Sequence, residues 1–368
     1  MRAAWFHMAK GTYPRQARIG LGGLQEEHLS RQGFTGPVAM LYHRRGATEF
    51  ISVSPELAPP PMPVDKLSSP DRTDAAALPL RLYENDDITL LWSQREQPHP
   101  FLVRDLDGDQ LMFVHAGAGV LETEFGPLSY ARGDFLFVPK GVTYRLVPSE
   151  PNAMLIIESS SPVEPFTIEA AGRHAPYDPT VLEIPEPAPR EQQDPGNFPV
   201  SYKLENRLLS AVLRYDPFDV VGWKGDLFPF RLHMADILPI GSERSHLAPS
   251  IGGVFKGDGF VISNLLPQPA VADLDAEELP DYHRNVDLDE FWLIHEAGGP
   301  VRSGGQLLFT TQGMVHGATE EIREAHQASR RPGDRRGLTA VGVESRRHLR
   351  PTPEYLEQLG LQGSGPES

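Results

Sequence analysis

Prolines fall into two dense stretches of this chain and limit what those stretches can form. The first runs from Pro55 to Pro70, and the second holds nine prolines from Pro162 to Pro199. Proline fixes φ and has no backbone N–H to donate, so neither stretch can be the interior of a helix or a central strand. The second stretch is therefore interpreted as a linker or an extended crossing segment.

Short apolar runs separated by turn signals fill most of the remaining chain. Turn dipeptides such as Asp107-Gly108 lie between the runs, a pattern typical of many short strands. Helical periodicity is confined to residues 318–329 and 353–359. The pattern predicts an all-β chain with two sandwich or barrel units. The runs that predict strands are residues 88–92, 111–115, 135–139, 153–157, 208–215, 228–234, 259–262, 291–295 and 306–309.

Charge and cysteine content exclude several classes of function. The formal net charge is −16, which argues against nucleic acid or an anionic membrane surface as a partner. There are no cysteines, so a metal site must use His, Asp and Glu. No run of about 18 apolar residues predicts a membrane-spanning helix, and the N-terminus lacks an apolar core of signal-peptide length. A cytoplasmic location is the expectation.

A motif in the first half combines two glycines and a proline at fixed spacing. Gly133, Pro139 and Gly141 have the spacing G-x5-P-x-G-x2, and the residue that follows is Tyr144. This motif is similar to the second motif of the cupin superfamily, whose metal-binding members have a histidine where Tyr144 stands. The preceding hairpin offers one histidine, His115, which is interpreted as a hairpin-end residue and alternatively as a lone ligand or substrate contact. The first half is therefore predicted to be a metal-free cupin barrel.

The second half holds a candidate metal site. His283 and Glu290 are separated by six residues, and His316 follows from a later strand. Two imidazoles and one carboxylate can occupy one face of an octahedron and leave positions open, as in non-haem Fe(II) oxygenases. With thirteen histidines in the chain, this spacing alone also fits surface or core histidines.

Six motifs occur in order over most of the chain, at residues 41–44, 111–122 with 133–146, 221–230, 245–251, 282–285 with 290–291, and 315–317. Two of them contain the candidate ligands: the YHRN…EF segment and the VHG segment. Together the six motifs resemble those of the homogentisate 1,2-dioxygenase family, whose members are bicupins. The resemblance implies two cupin barrels with iron in the second.

The resemblance implies a role for each candidate residue. His283, Glu290 and His316 would bind Fe(II), and the metal would support O2-dependent opening of a hydroquinone-type ring. His246 would be the acid–base histidine that takes the phenolic proton of the substrate. A histidine with a pKa near 6.5 suits such a transfer.

Two neighbours of the first ligand are predicted to bind substrate. Tyr282 could instead pack against the barrel, and Asn285 could instead cap the turn after His283. The family has five residues between its first histidine and its glutamate, whereas this chain has six. Glu290 keeps the family's place before phenylalanine, and Asp289 is the alternative ligand.

The substrate-contacting positions depart from the family. Thr310 stands where the family has a second histidine, and the tyrosine that follows the iron glutamate has no counterpart in residues 292–299. His295 could replace a lost contact if a bulge turned it inward. Homogentisate is therefore predicted to be a poor substrate, and a bulkier dihydroxylated ring a better one.

The chain is predicted to divide into three parts. Residues 1–160 form a metal-free cupin with an N-terminal extension, residues 161–200 a proline-rich crossing segment, and residues 201–368 an Fe(II) cupin. The predicted function is a ring-cleaving non-haem Fe(II) dioxygenase that acts on a small aromatic substrate with O2 and forms a homo-oligomer. The alternatives are a related oxygenase for a larger or differently substituted phenol in specialised metabolism, a non-catalytic ligand-binding bicupin, and an isomerase that consumes no O2.

Overall fold

Strands make up most of the regular structure in the computed structural model. It describes residues 8–32, 35–188, 196–241, 252–270, 276, 282–298, 303–331 and 333–361. Within these residues the α-helices are α1 (Glu320–Ser329) and α2 (Pro353–Leu359). Neither is long and apolar enough to cross a membrane. The predicted all-β class is confirmed.

The strands are short, as the spacing of the apolar runs predicts. Those that begin before residue 190 are β1 (Gln25–Gln32), β2 (Thr35–His43), β3 (Met62–Pro63), β4 (Leu80–Glu84), β5 (Ile88–Ser93), β6 (Leu102–Asp105), β7 (Asp109–Ala116), β8 (Gly119–Thr123), β9 (Gly126–Tyr130), β10 (Asp134–Val138), β11 (Thr143–Pro148), β12 (Ala153–Ser159) and β13 (Glu164–Pro165).

The later strands have similar lengths, and single 3-10 turns connect several elements. The strands are β14 (Phe198–Leu204), β15 (Arg207–Leu213), β16 (Phe230–His233), β17 (Gly253–Gly257), β18 (Phe260–Leu265), β19 (Gln268–Pro269), β20 (Tyr282–Asn285), β21 (Asp289–Glu296), β22 (Gln306–Thr310), β23 (Arg335–Arg336), β24 (Thr339–Ser345) and β25 (Arg350–Pro351). The 3-10 turns are Val64–Lys66, Pro70–Arg72, Glu169–Ala171, Pro179–Val181 and Met234–Asp236.

The first barrel is built from two sheets that face each other. One has the order β16-β10-β7-β12-β5-β4-β25 and the other β15-β14-β6-β11-β8-β9. Side chains alternate between the faces of a strand, so Met112 and Val114 of β7 enter the interior with Leu121 and Leu146 of the opposite sheet. Phe113 points the other way, into a separate core.

The second barrel contains the candidate metal ligands. Its main sheet has the order β13-β17-β18-β24-β21-β22-β3, and a three-stranded sheet has the order β2-β1-β20. On β21, Trp292 and Ile294 lie with Ala340 of β24 on one face. Phe291 and Leu293 lie on the other face and join the largest hydrophobic core.

This largest core lies between the two seven-stranded sheets, one from each barrel. Phe135 contacts Phe255 with ring centroids 5.9 Å apart, and Tyr83 contacts Phe291 at 5.8 Å. Burial of apolar surface contributes about 25 cal/mol per Å². The two barrels are therefore held together by a shared core.

Edge strands are exchanged between the halves of the chain. Both edges of the second barrel's main sheet, β3 and β13, come from the proline-rich stretches, and an edge position tolerates the missing N–H of Pro63 and Pro165. Conversely, β14 and β16 pair with strands of the first half, and β15 pairs with β14 at the edge of the same sheet. Residues 198–233 thus extend the first barrel past the predicted boundary at residue 200, while the three-part division itself stays a prediction.

Candidate metal centre

The structure brings His283, Glu290 and His316 together. Each offers a ligand atom, and these atoms all lie within 4.8 Å of one another. His283 lies on β20, Glu290 begins the inward face of β21, and His316 follows β22 after a turn. The backbones of the two histidines pair, with N–H to carbonyl distances of 2.9 and 3.0 Å. This pairing places the two imidazoles side by side, with ring centroids 4.0 Å apart.

Both oxygens of the Glu290 carboxylate are held by donors of the protein. Asn285 Nδ2 donates to Oε1, and Trp292 Nε1 donates to Oε2 at 3.3 Å. His316 Nε2 lies 3.5 Å from Oε2, which is therefore the oxygen that faces that imidazole. Burial alone would raise the pKa of Glu290, but the nearby His316 and His283 and the Trp292 N–H lower it to about 2. The group is an anion at neutral pH.

A backbone carbonyl orients the last ligand. His316 Nδ1 lies 3.0 Å from the carbonyl oxygen of Met314, so Nδ1 carries the proton and donates. The Nε2 atom then faces Glu290. Burial lowers the pKa of His316, but Glu290 outweighs it and the pKa is raised overall. A cation bound between Glu290 and Nε2 of His316 would take the place of the proton that a charged imidazole carries on Nε2.

The alternative ligand, Asp289, is engaged elsewhere. It precedes Glu290 on β21 and so faces the other side of the sheet. Its carboxylate accepts from the backbone N–H of Gln312 at 2.8 Å and of Leu349 at 2.7 Å, and it lies 3.2 Å from His348 Nδ1. Its geometry favours Glu290 as the carboxylate of the centre.

The two predicted substrate contacts lie on opposite faces of β20. Asn285 shares the face of His283 and reaches Glu290, whereas Tyr282 points away from the triad. The Tyr282 ring lies under the guanidinium of Arg323, at 5.1 Å from its centroid. The structure therefore does not bring Tyr282 to the triad. The predicted acid–base residue His246 lies outside the described residues.

Sequence reasoning did not predict that strand β1, from the N-terminal extension, lies beside this site. Strand β1 pairs in parallel with β20, with His28 in register with His283 and Ser30 with Asn285. Residues in register on neighbouring strands share a face, so His28 and Ser30 lie on the same face of this sheet as His283. The Ser30 hydroxyl donates to Asn285 Oδ1 at 3.4 Å. No local pattern signals this pairing across more than 250 residues.

A second buried carboxyl group lies next to the centre. Glu344 of β24 is in register with Glu290 and is 1% exposed. Ser263 Oγ donates to it at 3.3 Å. Burial, together with the charge of Glu290, raises the pKa of Glu344 to about 8.

The corresponding interior of the first barrel holds a lysine among carboxylates. Tyr144 donates to Gln110 Oε1 at 2.8 Å, and Gln110 in turn donates to Asp105 at 2.6 Å. Lys203 Nζ donates to Glu158 at 2.8 Å and lies 3.5 Å from Asp105. This ammonium supplies positive charge beside the carboxylates. Asp105, Asp107 and Glu158 themselves offer ligand atoms within 4.8 Å of one another, so a metal-free first barrel stays a prediction.

The other two histidines of interest pair with each other across the barrels. His115 Nδ1 and His295 Nδ1 are 3.0 Å apart. A register shift does occur on β21 between Ile294 and Glu296, but His295 packs against Phe113 of the first barrel. His295 is therefore occupied at the barrel interface, and the described contacts do not bring it to the triad.

A family profile described as "Homogentisate 1,2-dioxygenase N-terminal" matches residues 93–234, the region of the first barrel. A homogentisate 1,2-dioxygenase from Emericella nidulans is 27% identical over 209 residues. The resemblance to the homogentisate 1,2-dioxygenase family is confirmed. The Emericella alignment covers 54% of this chain and 46% of that family member.

A longer alignment includes both barrels. It pairs this chain with a protein named "Putative dioxygenase" from Saccharolobus solfataricus, at 26% identity over 353 residues, 89% of this chain and 88% of the relative. Among solved structures, a cupin 2 conserved barrel domain protein from Leptotrichia buccalis has 10% identity and a TM-score of 0.38, covering 78% of this chain and 97% of its own.

Proposed function

We propose that this chain is a non-haem Fe(II) dioxygenase that cleaves a hydroquinone-type aromatic ring with O2. The observation that carries the proposal is the cluster of His283, Glu290 and His316, whose ligand atoms lie within 4.8 Å of one another. The dioxygenase names of the two relatives and the family profile support it from the sequence side.

The donor set fits a divalent iron ion. Two imidazole nitrogens and one carboxylate are the ligands of the facial triad, and the anionic carboxylate beside His316 needs a cation. When bound, the ion would supply Lewis-acid activation and a template that holds substrate and O2 side by side. The described residues offer three ligands and leave the remaining positions open.

The chain's own residues would do the rest. Asn285 and Trp292 fix the carboxylate, and Met314 fixes the proton of His316 on Nδ1. His246 is predicted to accept the phenolic proton of the substrate. The hydrophobic cluster of Trp292, Ile294 and Ala340 would exclude water from the reacting ring.

A second candidate is a related oxygenase for a larger or differently substituted phenol. Thr310, where the family has a histidine, is in register with Glu290 on the neighbouring strand. A threonine is smaller than a histidine, so a histidine side chain that could hydrogen-bond the substrate beside Glu290 is absent at this position. This observation favours a substrate other than homogentisate.

The test is anaerobic reconstitution with Fe(II), followed by oxygen uptake with homogentisate and with bulkier dihydroxylated rings. We expect one iron per chain and O2 consumption coupled to ring opening. His283→Ala should lose iron and activity together, whereas His246→Ala should keep iron and lose about 10²–10⁴-fold in kcat. Wild-type protein that binds iron but consumes no O2 with any ring would contradict the oxygenase and favour a ligand-binding bicupin or an isomerase.

A further inference from the structure

Trp292 makes a polar contact inside an otherwise apolar cluster. Its ring packs with Ile294, Ala340 and Leu308, yet its Nε1 donates to Glu290 Oε2 at 3.3 Å. Trp292 follows Glu290 by two residues on β21, so both side chains share the interior face. The indole N–H thus reaches the same oxygen that lies 3.5 Å from His316 Nε2.

A glycine on the neighbouring strand β24 leaves room for this indole. Gly342 of β24 is in register with Trp292. A Cβ atom added at Gly342 would lie within 2.6 Å of the indole Cη2, closer than real Cβ contacts come. A side chain at position 342 would therefore force the indole away from its present position, and its N–H away from Glu290.

We propose that Trp292, packed against Gly342, is a positioning residue that fixes the Oε2 atom of Glu290 toward His316 and so tunes the metal centre. Partners that hydrogen-bond a ligating carboxylate orient it, and their loss typically costs 10–100-fold in metal affinity or activity. Asn285 holds the other oxygen, so the carboxylate is fixed at both ends. Because this role depends on the proposed metal centre, its test must separate the two.

The experiment measures Co(II) binding to the metal-free full-length protein, by competition with a chelator and by the visible absorption of the bound ion. Trp292→Phe removes the N–H and keeps an aromatic ring; we expect about 10–100-fold weaker binding and a changed Co(II) spectrum. Trp223→Phe is the matched control, since Trp223 donates to the Pro185 carbonyl at 3.2 Å, away from the centre. That control should bind Co(II) as the wild type does.

Gly342→Ala gives an independent measurement. We expect it to weaken Co(II) binding in the wild-type background and to add little to Trp292→Phe, because the bond it disturbs is then already absent. Should Trp292→Phe fail to fold, benzothienylalanine at position 292 keeps the two-ring shape and replaces the N–H by sulfur.

The role of Trp292 and the metal centre can each be disproved separately. If His283→Ala abolishes Co(II) binding while Trp292→Phe has wild-type affinity and spectrum, the positioning role is wrong and the centre stands. If the wild-type protein binds no Co(II), or His283→Ala binds it unchanged, the proposed centre itself is wrong.

Discussion

His283 and His316 hold each other through their backbones: the N–H of each donates to the carbonyl of the other, at 2.9 and 3.0 Å. His283 lies on β20, whereas His316 follows β22 after a turn. This bridge makes the spacing of the imidazoles a property of the backbone, so that truncating one side chain leaves the other in place. Substitution of either ligand therefore tests metal binding without rebuilding the site.

His283→Ala and His316→Ala should each reduce iron to well below one per chain and abolish oxygen uptake, because two remaining ligands rarely hold Fe(II). Iron quantitation and an oxygen electrode provide the measurements. His348→Ala is a suitable control, since His348 contacts Asp289 on the opposite face and is mostly exposed. Full iron occupancy in either ligand variant would show that the ligand assignment is wrong.

Glu290→Gln and Asp289→Asn should separate metal binding from stability. The first removes the anionic ligand and should lose iron while the protein stays folded. The second weakens a buried acceptor of two backbone N–H groups and should lower the free energy of unfolding by about 1–3 kcal/mol, with iron retained. Metal analysis and urea unfolding distinguish them; iron loss in Asp289→Asn alone would make Asp289 the ligand.

The His115–His295 pair should make the protein acid-sensitive. Burial, with the charge of Arg132 nearby, lowers the pKa of His115 to about 4, and burial beside His115 lowers that of His295 to about 3. The unfolded chain binds these protons near pH 6.5. Between pH 6.5 and about 4 it therefore holds more protons than the folded chain, and stability falls as the pH falls.

Urea unfolding at several pH values measures this effect. Each histidine contributes a slope of up to about 1.4 kcal/mol per pH unit, and the contribution is complete above pH 6.5. The double variant His115→Asn, His295→Asn should lose less stability than the wild type over that range. His174→Asn, at an exposed histidine, is the control. Equal slopes in wild type and double variant would rule the pair out as the cause.

Thr310→His should raise kcat/KM for homogentisate by roughly 5- to 150-fold, because it restores a buried hydrogen-bond partner worth about 1–3 kcal/mol. Steady-state oxygen uptake is the measurement. Thr311→His is the control, since the Thr311 hydroxyl donates to the Glu56 carbonyl instead. If wild-type kcat/KM for homogentisate already exceeds about 10⁴ M⁻¹s⁻¹, an ordinary enzymatic value, the prediction of a different substrate is wrong.

Local patterns predicted the parts of the fold that depend on neighbouring residues. Alternating apolar runs located most of the strands, and the run at residues 353–359 coincides with α2. The helix predicted from residue 318 begins at Glu320, and Thr319 occupies the N-cap without a side-chain hydrogen bond. The two-residue strands β3 and β13 have no such pattern, because their pairing depends on the partner sheet alone.

Some features of the candidate site could likewise be predicted from the sequence, and others could not. The triad was predictable because its residue types and order match a known family. Tyr282 was predicted to bind substrate, although its odd offset from His283 on one strand reverses the face and could have shown that it points away from the ligands. The pairing of β1 with β20 and the bond from Trp292 to Glu290 could not be predicted, because both depend on contacts that sequence spacing does not encode.

The exchange of edge strands has a consequence for how this protein can change over generations. A split of the gene near residue 180 into two shorter genes would separate β14, β15 and β16 from the sheets they complete, and β3 and β13 from the sheet that contains Glu290. Each product would expose unpaired backbone along a sheet edge, which favours aggregation. The exchanged strands therefore disfavour such a split, and substitutions in one half must stay compatible with the other.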